Sequence, residues 1–182
     1  MIGLAIGAVV IAYLVFVYNS LVKARQVKEE AWSGIDVQLK RRADLIPNLI
    51  ETVKGYAAHE KGTLEEIVNL RNRAQAVPGG DVAGRAAAEG LLSQALGKVF
   101  ALAEAYPDLK ANQNFSELQQ SLEGIESEVQ MARRYYNGAA RDLNVKVESF
   151  PSNLIAGPFG FSKAAYFEIA NEADRAVPVV KF

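Results

Sequence analysis

Residues 2–21 read IGLAIGAVVIAYLVFVYNSL and contain no charged side chain. A helix rises about 1.5 Å per residue, so about 20 apolar residues cross a hydrocarbon core of roughly 30 Å. Lys23, Arg25 and Lys28 follow directly. The sequence therefore predicts a transmembrane anchor over residues 1–22, and membrane lipid is an expected partner. The three basic side chains are expected to contact lipid headgroups.

Three interpretations compete for this stretch. A cleaved signal peptide carries a basic segment before its apolar run and small residues at the cleavage site, and the residues around Ile2 and Ser20 show neither. A buried core helix is rarely so long and so uniformly apolar. We therefore favour an uncleaved, single-pass anchor. Because Lys and Arg follow the run and none precedes it, we expect a short N-terminus outside and a C-terminal domain in the cytoplasm.

Composition narrows the possible functions of the remaining residues. The net charge is −1 and the pI is near 5.9, which argues against nucleic acid as a partner. The absence of cysteine excludes disulfides and thiolate zinc sites. His59 is the single histidine, and Thr63 stands where a second ligand one turn later would be. We predict no catalytic, metal-binding or cofactor-binding residue, and hence no enzyme.

Apolar residues spaced three and four apart predict helices beyond the anchor. The first stripe consists of Val27, Ala31, Ile35, Leu39, Ala43, Ile46, Ile50, Val53 and Ala57. It continues the anchor, and Pro47 is expected to interrupt it with a kink. A capping box at residues 63–66 predicts a second helix that ends near Val77.

Residues 78–80, Pro-Gly-Gly, form a predicted loop, after which Asp81 is expected to cap an alanine-rich third helix. A capping box at residues 116–119 predicts the start of a fourth helix. Its heptad seam, typical of a coiled coil, contains Leu118, Leu122, Ile125, Val129, Ala132, Tyr136, Ala139, Leu143, Val147 and Phe150. The carboxylate pairs Glu65–Glu66 and Glu126–Glu128 are interpreted as solvated surface.

The segment after Pro151 is rich in aromatic residues, glycine and proline. A short helix is predicted at residues 153–156. Residues 150–161 have two open interpretations: a cap over the end of a helical bundle, or a docking surface for a neighbouring copy. Residues 173–182 are predicted to form an extended or mobile tail. The predicted fold is all-α: a transmembrane helix that continues into an antiparallel, up-and-down bundle of four helices over residues 23–172.

Long stretches of this chain resemble the LemA family. The similar residues are 18–22, 31–49, 53–60, 106–112, 114–115, 132–137 and 150–153, in family order. The resemblance implies one N-terminal membrane span and a cytoplasmic helical bundle at a bacterial inner membrane. It implies no established enzymatic activity, cofactor or substrate. Some relatives serve in membrane-organelle formation, and others are encoded near a membrane metalloprotease.

Helix lengths favour a homo-oligomer. The cytoplasmic part of the first helix is expected to be roughly 50–60 Å long and the alanine-rich helix about 35–40 Å. One chain would then leave part of the first apolar stripe uncovered, and copies that share a membrane have a raised effective concentration. Candidate contacts in an oligomer are Gly3, Gly7, Trp32, Arg41, Asp44, Asn48, Phe159 and Phe161.

The polar patch at residues 40–48 has two open interpretations. It can be a set of ion pairs within one helix, such as Asp36 with Lys40, or a contact surface for Arg133, Tyr136 and Asn137 or another subunit. For the whole protein we expect a scaffold that self-assembles and organises the membrane or recruits clients. The alternative is a regulatory adaptor for a membrane protease or an envelope-stress system. A small-molecule sensor would need a polar cavity, which sequence cannot show.

Overall fold

Helices account for the regular structure of the chain. The computed structural model describes residues 2–57 and 59–168, and no strand occurs within these ranges. The helices are α1 (Ile2–Lys54), α2 (Lys61–Ala76), α3 (Val82–Ala103), α4 (Pro107–Lys110), α5 (Gln113–Glu148) and α6 (Asn153–Ala156). The all-α prediction is confirmed, as is the short helix at residues 153–156. The number of helices in a bundle and its up-and-down topology remain predictions.

Pro47 lies inside α1 and the helix is continuous across it, while the predicted kink stays a prediction. Proline has no N–H, which removes the helical donor for the carbonyl of residue 43. Arg71 on α2 supplies the missing donor, because its Nε donates to the Ala43 carbonyl oxygen at 2.7 Å. The helix continues to Lys54 with Pro47 inside it.

One of the three predicted helix caps is confirmed. The Asp81 carboxylate accepts a hydrogen bond from the Gly84 N–H at 2.8 Å and caps α3. Thr63 lies inside α2, whose N-cap is Glu60. Ser116 lies inside α5, where Asn112 Oδ1 accepts from the Phe115 N–H at 3.0 Å instead. A capping motif is a short pattern that can also occur inside a helix. Both α2 and α5 begin some residues before the motif that predicts their start.

The first of two compact units contains residues 2–37 and 129–166. The early part of α1 packs along the later part of α5. The Trp32 and Tyr136 rings meet edge to face with centroids 5.4 Å apart, and Lys146 Nζ donates to Ser20 Oγ at 2.7 Å. Residue numbers fall on α5 as they rise on α1, so the two segments are antiparallel.

The second unit contains residues 38–128 together with Phe167 and Glu168. One hydrophobic core holds it together, with side chains from α1, α2, α3, α4 and α5. Its fully buried members include Ile46, Ile67, Val99, Leu109 and Phe115. α2 and α3 are joined by the predicted Pro-Gly-Gly loop, which lies between Ala76 and Val82.

The apolar stripe of α1 is covered within a single chain. Its buried members are Ala31, Ile35, Leu39, Ala43, Ile46, Ile50, Val53 and Ala57. The expectation that neighbouring copies must cover this stripe is therefore wrong, because helix length alone underestimated what one chain contributes. The predicted boundary at residue 22 and the domain over 23–172 stay predictions, and the predicted tail at 173–182 lies outside the described residues.

Candidate functional site: the membrane-proximal end of the first unit

The apolar start of α1 is exposed throughout. All fifteen residues from 2 to 16 are exposed, and an 18-residue window of this helix has a mean hydropathy of 2.2. Length and composition thus allow α1 to cross a membrane. A soluble core helix of such composition would be buried. Exposed apolar surface of this extent is typical of a segment that contacts lipid.

The chain first covers α1 at Val17. Val17 and Leu21 are buried with Ile155, Ala156 and Phe161, which belong to α6 and the residues after it. Residues 149–161 form a segment that we call the aromatic loop. The aromatic loop therefore packs on the last two turns of the apolar stretch.

Aromatic rings and a cation fix the aromatic loop on α1. The Tyr18 ring meets Phe159 at 5.2 Å and Phe161 at 5.8 Å between centroids, both edge to face. The Arg25 guanidinium lies 5.0 Å from the Phe161 ring centroid, within cation–π range. The loop also presents apolar side chains outward: Phe150 is 78% exposed, Leu154 65% and Phe159 61%.

A groove of about 690 Å³ lies beside these residues on the same unit. Phe16, Asn19, Lys23 and Val27 on α1 and Asp142, Val145 and Lys146 on α5 are among the residues that line it. Lys146 Nζ also donates to the Ser20 carbonyl oxygen at 3.3 Å, which holds one cation at the groove wall. The groove combines apolar walls with two lysines, and this chemistry suits an amphipathic ligand or a helix.

A second apolar stripe runs along the outside of α5. Met131, Tyr135 and Val145 are exposed, and they share one helix face with Gly138 and Asp142 at steps of four and three. The buried residues Tyr136, Ala140 and Leu143 lie on the opposite face. We call the exposed stripe the α5 outer face.

Side chains on α5 also hold the segment that follows the aromatic loop. Asn144 is buried and bonds both backbone groups of Ala164: its Oδ1 accepts from the N–H at 2.7 Å, and its Nδ2 donates to the carbonyl at 3.0 Å. Tyr136 donates to the Ala165 carbonyl oxygen at 2.9 Å. Burial raises the pKa of Tyr136 above its ordinary value. The Glu148 carboxylate raises the pKa of Lys163 through a hydrogen bond and its charge.

In the second unit, Arg42 forms an ion network that the sequence analysis missed. Arg42 is 1% exposed and donates to Glu89 Oε2 at 2.6 Å, Glu126 Oε2 at 2.7 Å and Ser93 Oγ at 2.7 Å. Arg85 Nε donates to the other Glu89 oxygen at 2.9 Å. The interpretation of Glu126 as solvated surface is wrong, since it closes this network. Two cations face two carboxylates, so the arrangement is charge-balanced and structural.

A simple spacing signal would have found this network. Ile35, Leu39, Arg42, Ile46 and Leu49 follow one another at steps of four and three, so Arg42 occupies a core position of α1. Glu89 occupies the equivalent position on α3, between Arg85 and Leu92. Charged residues at core positions of two helices predict a buried ion pair.

The residues predicted as oligomer contacts lie in several different parts of the structure. Gly3 and Gly7 lie on the exposed anchor with open space around them. Phe159 and Phe161 meet at Tyr18, and Trp32 packs on Tyr136. In the polar patch Arg42 is buried, whereas Lys40, Arg41, Asp44 and Asn48 are exposed. Lys40 Nζ donates to Asp44 at 2.7 Å, Arg41 donates to Gln38 at 2.9 Å, and the Asn48 carbonyl oxygen accepts from the Thr52 hydroxyl at 2.9 Å.

Of the predicted headgroup contacts, Lys23 is exposed in the groove, whereas Arg25 and Lys28 are half-buried. His59 is exposed. Within the part of the chain that the structure describes, no group of three or more His, Cys, Asp or Glu side chains has the geometry to hold a metal ion.

Known proteins that resemble this chain identify its family. The model of the LemA family matches residues 31–182. Magnetosome protein MamQ 2 of Paramagnetospirillum magneticum is 27% identical over 182 aligned residues, which cover 87% of this chain and 67% of that protein. Magnetosome protein MamQ of Magnetospirillum gryphiswaldense is 25% identical, with 86% and 66% covered.

Protein LemA of Metamycoplasma hominis is 26% identical over 167 residues, which cover 91% of this chain and 75% of that protein. The match with the MamQ proteins spans about two thirds of their length. Together with the apolar first helix, these relatives indicate a membrane-associated protein. Because the family model covers most of its length, this chain belongs to the LemA family.

Proposed function

We propose that this protein is a single-pass, membrane-anchored scaffold that associates with copies of itself and organises the membrane or recruits client proteins. Its short N-terminus lies outside and its helical domain lies on the cytoplasmic side of the inner membrane. The observation that carries the proposal is the α5 outer face: its apolar side chains Met131, Tyr135 and Val145 are 45%, 58% and 54% exposed, and Val145 also lines the groove beside α1.

The α5 outer face has the chemistry of a helix–helix contact. Met131, Tyr135 and Val145 provide apolar surface at heptad spacing, and Gly138 lets another backbone approach closely. Tyrosine and methionine are enriched at protein interfaces. Copies held in one membrane meet at high effective concentration, so a modest contact area is enough for association.

The names of the relatives are compatible with a structural role. The MamQ proteins are named for the magnetosome, a cell structure, and their names state no reaction. In this chain the buried Arg42 is neutralised by the carboxylates of Glu89 and Glu126. These features favour a protein that acts through its surface.

Cysteine crosslinking in native membranes tests self-association cleanly, because the chain has no cysteine of its own. Tyr135→Cys places a thiol on the α5 outer face, and mild oxidation is expected to yield a disulfide-linked dimer. The matched control is Asn72→Cys, an exposed position on α2, which should remain monomeric under the same oxidation. Equal crosslinking of both variants, or of neither, would contradict the proposed contact.

Particle mass in mild detergent then distinguishes the scaffold from the adaptor. The scaffold predicts homogeneous particles with several copies of the 19.8 kDa chain. One copy bound to a different membrane protein, such as a metalloprotease, would favour a regulatory adaptor and overturn the proposal.

A further inference from the structure

The exposed apolar part of α1 is too short to cross a bilayer by itself. Residues 2–16 rise by about 22 Å at 1.5 Å per residue, whereas the hydrocarbon core is roughly 30 Å thick. The remaining hydrocarbon thickness of about 8 Å corresponds to the rise of residues 17–21. Along residues 17–21 the aromatic loop covers one side of α1. On that side the exposed surface of the loop takes the place of the helix surface.

The exposed side of the aromatic loop carries three large apolar side chains. Phe159 contacts the Tyr18 ring, which fixes its depth along α1. Phe150 and Leu154 are the other large apolar side chains that the loop exposes. Phenylalanine and tyrosine side chains at such a depth are typical of the boundary between acyl chains and headgroups.

We propose that the aromatic loop is a second membrane-contact element, which inserts Phe150, Leu154 and Phe159 into the leaflet next to the helical domain. The ligand is the lipid bilayer itself, and the loop supplies apolar surface on the side of α1 that it covers at residues 17–21. This inference is independent of self-association.

The loop is held firmly enough to act as a fixed wedge. Ile155, Ala156 and Phe161 are buried against Val17 and Leu21, and the Ser152 hydroxyl donates to the Lys146 carbonyl at 2.6 Å. Lys23 is exposed just after the apolar run. Its ammonium group suits the phosphate layer just outside the acyl chains.

Tryptophan fluorescence in reconstituted vesicles tests the depth of the loop. Trp32 is the single tryptophan, so Trp32→Phe gives a silent background for the full-length chain. Phe159→Trp in this background reports on the loop. Val37→Trp is the matched control, because Val37 is also exposed and lies sixteen residues after Leu21 on α1, about 24 Å farther from the membrane end.

Phosphatidylcholine brominated near the carbonyl end of its acyl chains is the quencher. The expected result is a several-fold larger loss of emission for Phe159→Trp than for Val37→Trp, with weaker quenching by lipid brominated at the chain terminus. Equal losses for the two variants would overturn the proposal. A blue-shifted Phe159→Trp emission that bromine does not quench would also overturn it, because protein would then cover the loop.

Discussion

At the residue scale, Arg42 is the most consequential side chain in the second unit. Removal of one partner from a buried ion pair leaves an uncompensated charge, which costs about 3–5 kcal/mol. We therefore expect Arg42→Met to lower the free energy of unfolding by about 3 kcal/mol, measured by denaturant titration in detergent. Lys40→Met removes the exposed pair with Asp44 and should cost at most about 1 kcal/mol. Similar costs for both variants would contradict the buried network.

Arg71 has a different task, which is to replace the donor that Pro47 lacks. Arg71→Met should cost about 1.5–3 kcal/mol, the range for a hydrogen bond from a charged group. Pro47→Ala restores a backbone donor to the Ala43 carbonyl. In a double-mutant cycle, the cost of Arg71→Met should therefore shrink in the Pro47→Ala background. A cost that does not change between backgrounds would rule out this compensation.

Tyr136 links stability to alkaline pH. Its pKa is raised by burial, so the unfolded chain releases the phenolic proton first, near pH 10. The corresponding stability is complete below about pH 10 and is lost as the pH rises through the folded-state pKa. Melting temperatures recorded across this window should fall more for the wild-type chain than for Tyr136→Phe. Parallel curves would show that Tyr136 is not the linked group.

At the element scale, the segment after the aromatic loop depends on Asn144 for its position. Asn144→Ala removes both hydrogen bonds to Ala164, so the Lys163–Ala164 bond should become a faster trypsin site. Limited proteolysis followed by mass spectrometry measures this rate. Asn153→Ala, an exposed change at the start of α6, serves as the control and should leave the rate unchanged. An unchanged rate for Asn144→Ala would contradict its anchoring role.

The helix positions could be predicted from the sequence because the spacing of the buried apolar residues and the positions of loop-forming residues indicate the same helices. The stripe from Ala31 to Ala57 and the cap at Asp81 are both confirmed. A kink at Pro47 was predicted from local sterics, and the structure adds that a side chain from another helix supplies the missing donor. Such compensation depends on three-dimensional proximity, which local rules do not contain.

The candidate site was only partly predictable for the same reason. Aromatic residues at 150–161 were visible as an unusual segment, but their depth follows from the Tyr18–Phe159 contact, which only the structure provides. The α5 outer face was overlooked because Met131, Tyr135 and Val145 are interleaved with the stronger buried seam. A weak second stripe is difficult to distinguish from scattered exposed apolar residues.

At the scale of the whole molecule, the account depends on the attachment of the chain to a membrane through α1. Alkaline carbonate extraction of cell membranes tests this claim most directly, because it releases peripheral proteins and retains those that span the bilayer. The full-length chain is expected in the membrane pellet, and Ile6→Asp combined with Val10→Asp should release it, since charged residues in a spanning helix oppose insertion. Release of the unaltered chain into the carbonate supernatant would contradict the account.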